Sequence, residues 1–404
     1  MARVAVVWLL FFTGLSLLTV AVLHSAPEAQ RRLDRAVERW QQHGGVRSTD
    51  ALRPALAPGA DNAAEGYLRA IEHLSAVRDD EREHALRHPQ RATTMQMQRW
   101  LADEAVALAL AREAAMIETC RWPHPHVDRT TGGRAGHVPG MVKLARLLGV
   151  EAQLRGRQGD GPAAVQAIEV LWRLAGHLGT EPGAIAATMH LHEDNRALMA
   201  LETAFAHTPP PADAALAELL ARRDYRALVG RAAIGEAALV LELFDAGELG
   251  DVEGVLGRIG PGGVHEPRRL KEDVALMLES LGGRFEQWGR PFHEQSVLEV
   301  RSLPRSMPVS FETMLVLEQV NRIAARVEAR RALAVIALRL SEHHRKHGAL
   351  PDRLEQVPGL SRWLVDPING RRVVYQVEGD GSFLLSVDAA ALDMDDVTWR
   401  WSHR

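Results

Sequence analysis

A chain of 404 residues with 46% hydrophobic side chains can bury a large core, and its length suggests two or three domains and excludes a disordered polymer. The formal net charge of -4 supplies no basic field, so nucleic acid is excluded as an expected partner. One cysteine, Cys120, excludes an intrachain disulfide and any multi-cysteine zinc site, and no neighbouring base points to activation, so it reads as a buried structural thiol.

From Val4 to Leu23 the chain carries no charged residue, and a helix of that length matches a hydrocarbon layer of about 30 Å. Residues 1–26 therefore read as a single-pass membrane anchor, with the lipid bilayer as the partner. A cleaved signal peptide is the alternative, although His24-Ser25-Ala26 before Pro27 is a poor small-residue cleavage site. Arg31, Arg32, Arg35 and Arg39 follow the span and favour a cytoplasmic body by charge alone. Large domains translocate largely regardless of such charge, and the body is expected outside the cytoplasm.

Residues 27–60 read as a charged juxtamembrane helix, Arg31 to Gln42, and a Pro/Gly-bearing linker, Arg53 to Gly59. An α-helical body, 61–310, follows. Asp61-Asn62 opens a helix through Tyr67, Ile71 and Leu74, and the charge-rich run Arg78 to Arg87 reads as a solvated face or loop. Met95 to Cys120 has the pattern of one longer helix, with Trp100, Ala107, Leu108, Ala111 and Ala115 as candidate core. Arg121-Trp122-Pro123 ends it, and a loop rich in Gly, His and Pro extends to Gly140.

Met141 to Phe205 is the organising stretch. Leu144, Leu147, Leu148 and Ala152 make one apolar stripe, with Lys143, Arg146 and Arg155 opposite; Val165, Ile168, Trp172 and Ala175 make a second. Gly159-Asp160-Gly161-Pro162 between them combines chain reversal, a capping residue and a first-turn proline, which predicts an antiparallel pair. A third helix starts near Thr180-Glu181-Pro182 and carries Leu198, Leu201 and Phe205. Pro209-Pro210-Pro211 breaks the chain, Leu216 to Phe244 predicts two helical segments, Gly247 to Gly263 a loop, and Leu270 to Leu281 another helix.

An irregular stretch with Trp288, Pro291, Pro304 and Pro308 leads to Phe311–His347, the longest helical pattern outside the membrane span, as one helix or two in tandem, with Gly348 placed to cap it. Residues 311–404 form a small α+β module. Asp366-Pro367-Ile368-Asn369-Gly370 has turn chemistry, and Val373–Val377 and Phe383–Val387, joined through Glu378-Gly379-Asp380-Gly381, predict a β-hairpin lying against the long helix. The expected fold is mainly α: a membrane-spanning helix, a body of antiparallel helical hairpins, and this α+β terminus.

The segment from about Arg330 to Trp399 resembles the C-terminal module of the type II secretion major pseudopilins. The matching residues are His347-Gly348-Ala349-Leu350-Pro351, Asp366-Pro367 with Gly370, Tyr375, and Gly379, Gly381 and Ser386. The resemblance implies a calcium loop near Asp393, Asp395 and Asp396, before Trp399. Ala389-Ala390-Ala391 stand where that loop has glycines, and a solvated acidic end is the reading of these residues themselves. The hydrophobic segment lies roughly three hundred residues upstream and contains no acid, so polymerisation as a pilin is not expected. The body, through Asn62-Ala63-Ala64, Tyr67, Cys120-Arg121-Trp122-Pro123 and Leu144 to Leu178, resembles membrane-anchored bacterial proteins of unassigned function. The Gly159-Asp160 turn is similar to that of a tetratricopeptide unit, without a sustained repeat.

Three histidine groups carry the chemical questions. His190, Glu193 and Asp194 have helical spacing able to present two metal ligands, against which stands ordinary helix pairing. His343, His344 and His347 occupy a last helical turn, where capping the dipole is the simplest role. His124, His126, Asp128 and His137 share a loop. Trp122, Trp172, Trp288 and Trp363 read as core before they read as a groove. With no serine-hydrolase elbow, Walker loop or dinucleotide fingerprint, no catalytic, cofactor or metal residue is assigned. The expectation is a membrane-anchored extracytoplasmic scaffold or interaction protein with an unknown protein partner. The alternatives are a metal-dependent hydrolase and an accessory part of a secretion or envelope assembly.

Overall fold

The computed structural model describes residues 27–74, 86, 91–123, 137–206, 214–247, 267–295, 303, 304, 306–379, 381–390 and 395–401. The chain is mainly helical, with a small antiparallel sheet near its C-terminus. Among the described residues no helix is long and apolar enough to cross a membrane, and the Val4–Leu23 segment lies outside them. So do the Pro209-Pro210-Pro211 breaker and most of the Arg78–Arg87 and Gly247–Gly263 stretches.

Three helices form the centre: α5 (His137–Arg157), α6 (Gly161–Leu178) and α7 (Ala184–Ala204), each packed on the other two. Asp160 caps α6 by accepting from Ala163 N at 3.2 Å, and Gly159 takes the left-handed conformation the reversal needs, φ 76°. Helix α7 begins three residues beyond Glu181, because Gly183 at φ 108° is the residue that turns into it. Helix α5 begins at His137, so the first turn holds residues expected in a loop. Its charged side is half-buried: Lys143 lies 3.4 Å from the fully buried Glu104. Where α5 meets α7, a Cβ on Gly156 would sit 2.4 Å from the Ala204 carbonyl oxygen, so the contact depends on glycine.

Around this centre pack α1 (27–42), α2 (Ala63–Glu72), α3 (Thr94–Asp103) and α4 (Ala105–Ala115). In α1 the buried stripe Leu33, Ala36, Val37 and Trp40 faces the body, with Trp40 against Phe285 and Arg32 paired with Glu279 at 2.7 Å. Asn62 caps α2 as its sequence position suggests, accepting from Ala64 N at 3.3 Å. The single helix expected from Met95 to Cys120 is two, broken at Glu104 (φ -112°, ψ 19°), and it stops at Ala115. No glycine or proline marks that break; the buried Glu104 carboxylate beside Lys143 accompanies it.

On the other side lie α8 (Ala214–Ala221), α9 (Tyr225–Asp245), α10 (Pro267–Gly282), the short α11 (Phe285–Trp288) and α12 (Pro308–His347). Helix α12 is one continuous 40-residue helix packed on α7, α9 and α10. Two helix starts are capped by carboxylates from a neighbouring helix. Asp273 of α10 accepts from Val309 N at 2.9 Å and Ser310 N at 2.8 Å at the head of α12. Glu236 of α9 accepts from Ala184 N at 3.0 Å at the head of α7. Each places negative charge on the positive end of a helix dipole while satisfying amides that have no partner within the helix.

Gly348, at φ 73°, closes α12 by donating its N–H to the His344 carbonyl at 2.7 Å. The expected hairpin forms from β1 (Val374–Val377) and β2 (Phe383–Val387), and a third strand, β3 (Val397–Trp401), pairs with β2. Register sets Phe383 opposite Trp401 and Leu385 opposite Trp399, so these side chains share the face laid on α12. The Asp366 turn is built as its residues predict: Asp366 accepts from Ile368 N at 2.8 Å through its side chain and from Gly370 N at 2.9 Å through its carbonyl.

Candidate functional site

The densest polar chemistry gathers at the C-terminal end of α6. His177, in its last turn, is buried, and its Nδ1 lies 3.0 Å from the hydroxyl of Tyr67 on α2. Trp122 donates from Nε1 to the His177 carbonyl at 3.1 Å and stacks flat on His137, ring centroids 4.4 Å apart. Burial lowers the His177 pKa to about 4, so near neutral pH the imidazole is an uncharged partner for Tyr67. The same burial raises the Cys120 thiol to about 12, which leaves it protonated and unreactive. Trp122 and Trp172 are core residues here.

A second network lies on the far side of the same helix end. On α7, His190 Nε2 is 3.0 Å from Asp194 Oδ2, which also accepts from the Tyr225 hydroxyl at 2.9 Å and faces Arg223 Nε at 3.2 Å. Arg223 comes from the α8–α9 connection and donates to the Trp172 carbonyl of α6 while lying over the Trp172 ring. Asp194 is fully buried. Burial by itself would raise its pKa, and Arg223, His190 and Tyr225 together outweigh that, holding the carboxyl below the ordinary aspartate range. Arg331 of α12 extends the network, lying over the rings of Tyr225 and Trp363 and donating to the Leu220 carbonyl at 3.1 Å. One carboxylate and two arginines thus join α6, α7, α9 and α12.

Two glycines make room for this crossing. A Cβ on Gly176 would lie 2.7 Å from Arg223 Nη1, and one on Gly179 would lie 2.1 Å from His190 Nδ1. Beside them is a cavity of about 300 Å³ lined by Thr180, His190, Arg222, Arg223, Tyr225 and Arg231. Arg231 is held by the Leu52 and Thr180 carbonyls. Below the cavity, Glu181 pairs with Arg53 at 2.8 Å, and burial raises its carboxyl pKa despite Arg53, Arg121 and Arg231.

The sequence-derived set His190, Glu193, Asp194 does not converge. Glu193 turns to Arg196 at 2.6 Å, while His190 and Asp194 bind each other. The Asp194 carboxylate orients the imidazole as it would orient a general base, and Nδ1 is left without a hydrogen-bond partner, but Gly179 covers that nitrogen. His137 is packed on Trp122, and His124, His126 and Asp128 lie outside the described residues. Asp396 accepts from Ala389 N at 3.3 Å, and Asp393 is likewise outside the described residues. Among the described residues no three His, Cys, Asp or Glu side chains are grouped to hold a metal.

Comparison with known protein families, characterised proteins and solved structures returns no match. The partners that complete the Asp194 network, Arg223, Tyr225 and Arg331, are separated from it by 29 to 137 positions. The only local signal among them is Asp224, whose side chain caps α9 through Arg226 N and Ala227 N, both at 3.1 Å.

Proposed function

We propose that this chain is a membrane-tethered, extracytoplasmic helical scaffold that presents surfaces to a protein partner, its body built from antiparallel helical hairpins of tetratricopeptide-like character. The observation that carries the reading is the Asp194 network. The residues with the greatest catalytic promise, His190 and Asp194, are bound to each other and to Tyr225 and Arg223, and they join helices at a covered site. Such a network fixes the relative positions of helices, which is what a scaffold requires.

The competing reading, a metal-dependent hydrolase, is separated by metal content. Full-length protein without a polyhistidine tag is purified and its zinc measured, alongside His190→Ala and His124→Ala. Stoichiometric zinc that disappears in either variant overturns the scaffold reading. Orientation has its own test: a reporter fused after Arg404 that is active only in the cytoplasm removes the extracytoplasmic assignment. An accessory place in a secretion or envelope assembly is a second reading. It rests on the resemblance of the last helix turn, the Asp366 turn and the adjoining strands to the pseudopilin module.

A further inference from the structure

The end of α12 carries a pair of side chains for which the fold has no evident use. His343 and His347 are one helical turn apart on the same face, with ring centroids 4.3 Å apart. Neither ring has a hydrogen-bond partner among the described residues, and His347 is exposed. The capping role that their position suggests is filled by Gly348, whose N–H takes the His344 carbonyl. His344 points elsewhere and packs on Trp401, 5.8 Å between centroids. The nearby carboxylate, Glu342, is engaged by Arg339 at 3.0 Å and Lys346 at 2.7 Å, so it does not hold either ring.

We infer that His343 and His347 form a two-point binding site for a borderline divalent transition metal, Zn²⁺ or Cu²⁺, at the exposed end of the long helix. Imidazole nitrogens favour these ions over Mg²⁺ and Ca²⁺, which take oxygen ligands. A metal–nitrogen distance of about 2.0–2.1 Å requires each ring to rotate from its present stacked contact and aim one nitrogen at a common point. Both rings are free to do so because no hydrogen bond holds them. The remaining coordination positions go to water. A chelate across one turn holds that turn helical, so binding stabilises the folded end of α12 by linkage.

The test uses the full chain without a polyhistidine tag, stripped of metal, and titrated with CuCl2 or ZnCl2 by calorimetry. His343→Gln, His347→Gln and the double variant are run in parallel, with His344→Gln as a control. Metal-free melting of each variant, unchanged from the parent, establishes that it folds. The expected result is one binding equivalent present in the parent and His344→Gln, and lost in all three other variants, with no equivalent for MgCl2 or CaCl2. The metal-induced rise in melting temperature should vanish with it. Loss in only one of the two single variants, or retention in the double variant, overturns the paired site.

Discussion

Replacing Asp194 with alanine removes the acceptor that serves three donors at once. His190 Nε2 and the Tyr225 hydroxyl stand 3.0 and 2.9 Å from Oδ2, and Arg223 donates from Nη2 to Oδ1 at 3.4 Å. The carboxylate is fully buried, and the His190 and Arg223 side chains are 10% and 21% exposed, so water replaces the lost partner poorly. Each donor left unsatisfied costs about 1–3 kcal/mol. The three losses overlap, because Arg223 keeps the Trp172 carbonyl. Breaking one partner of a buried ion pair costs about 3–5 kcal/mol, and that is the expected loss. At roughly 2 °C per kcal/mol for a large chain, melting should fall by about 6–10 °C. Thermal and urea unfolding of the full chain in detergent, followed by far-UV circular dichroism, measure it. Removing Arg223 as well should recover part of the loss, because the unpaired buried cation goes with it, and a double-mutant cycle reads that coupling. A loss below about 1 kcal/mol for Asp194→Ala would refute the claim that this network joins the helices.

His177 should make stability depend on pH. Its folded pKa is lowered from 6.5 to about 4, so between those values the unfolded chain binds a proton that the folded chain does not. Stability therefore falls as pH drops from about 6.5 towards 4, by about 3 kcal/mol in all; His177→Gln should flatten that limb of a pH–unfolding curve. Cys120, buried and raised to about 12, should resist a thiol reagent at pH 8 until the protein opens. Labelling as fast as that of a free thiol, without denaturant, contradicts the packing. Gly156→Ala forces a Cβ against the Ala204 carbonyl and should cost about 1–3 kcal/mol in a denaturation series. Asp273→Ala uncaps α12 and should cost about 1–2 kcal/mol, with faster amide exchange at Val309 and Ser310.

Much of the local architecture was legible because its causes are local. Asn62 and Asp160 cap the helices they precede, Gly159 and Gly348 take left-handed conformations where the chain reverses or stops, and Asp366 organises its own turn. The hairpin is written in two strand-forming runs, the valine- and tyrosine-bearing Val373–Val377 and the apolar Phe383–Val387, around Gly379 and Gly381. Strand β3 is legible too, in the alternation of Val397, Trp399 and Trp401 with Thr398 and Arg400, although the pseudopilin resemblance directs the reading of this stretch to the acidic residues before Trp399. Helical periodicity across Met95–Cys120 hid the break at Glu104, where no residue type punctuates the chain.

The sequence by itself determined a mainly helical chain, the central pair joined at Gly159–Asp160, and a β-hairpin after a long helix, since each follows from periodicity, capping and turn chemistry within a few residues. Tertiary structure alone decided the cross-helix partners of the buried charges. Spacing on α7 allowed His190, Glu193 and Asp194 to be ligands of one ion. Glu193 is taken within its own helix by Arg196, three positions on, whereas packing gave Asp194 to Arg223 and Tyr225. The physical reason is range. A helix cap is satisfied by a neighbour in the chain, whereas a buried charge takes whichever partner the fold brings alongside, and that partner is set by helix packing many residues away.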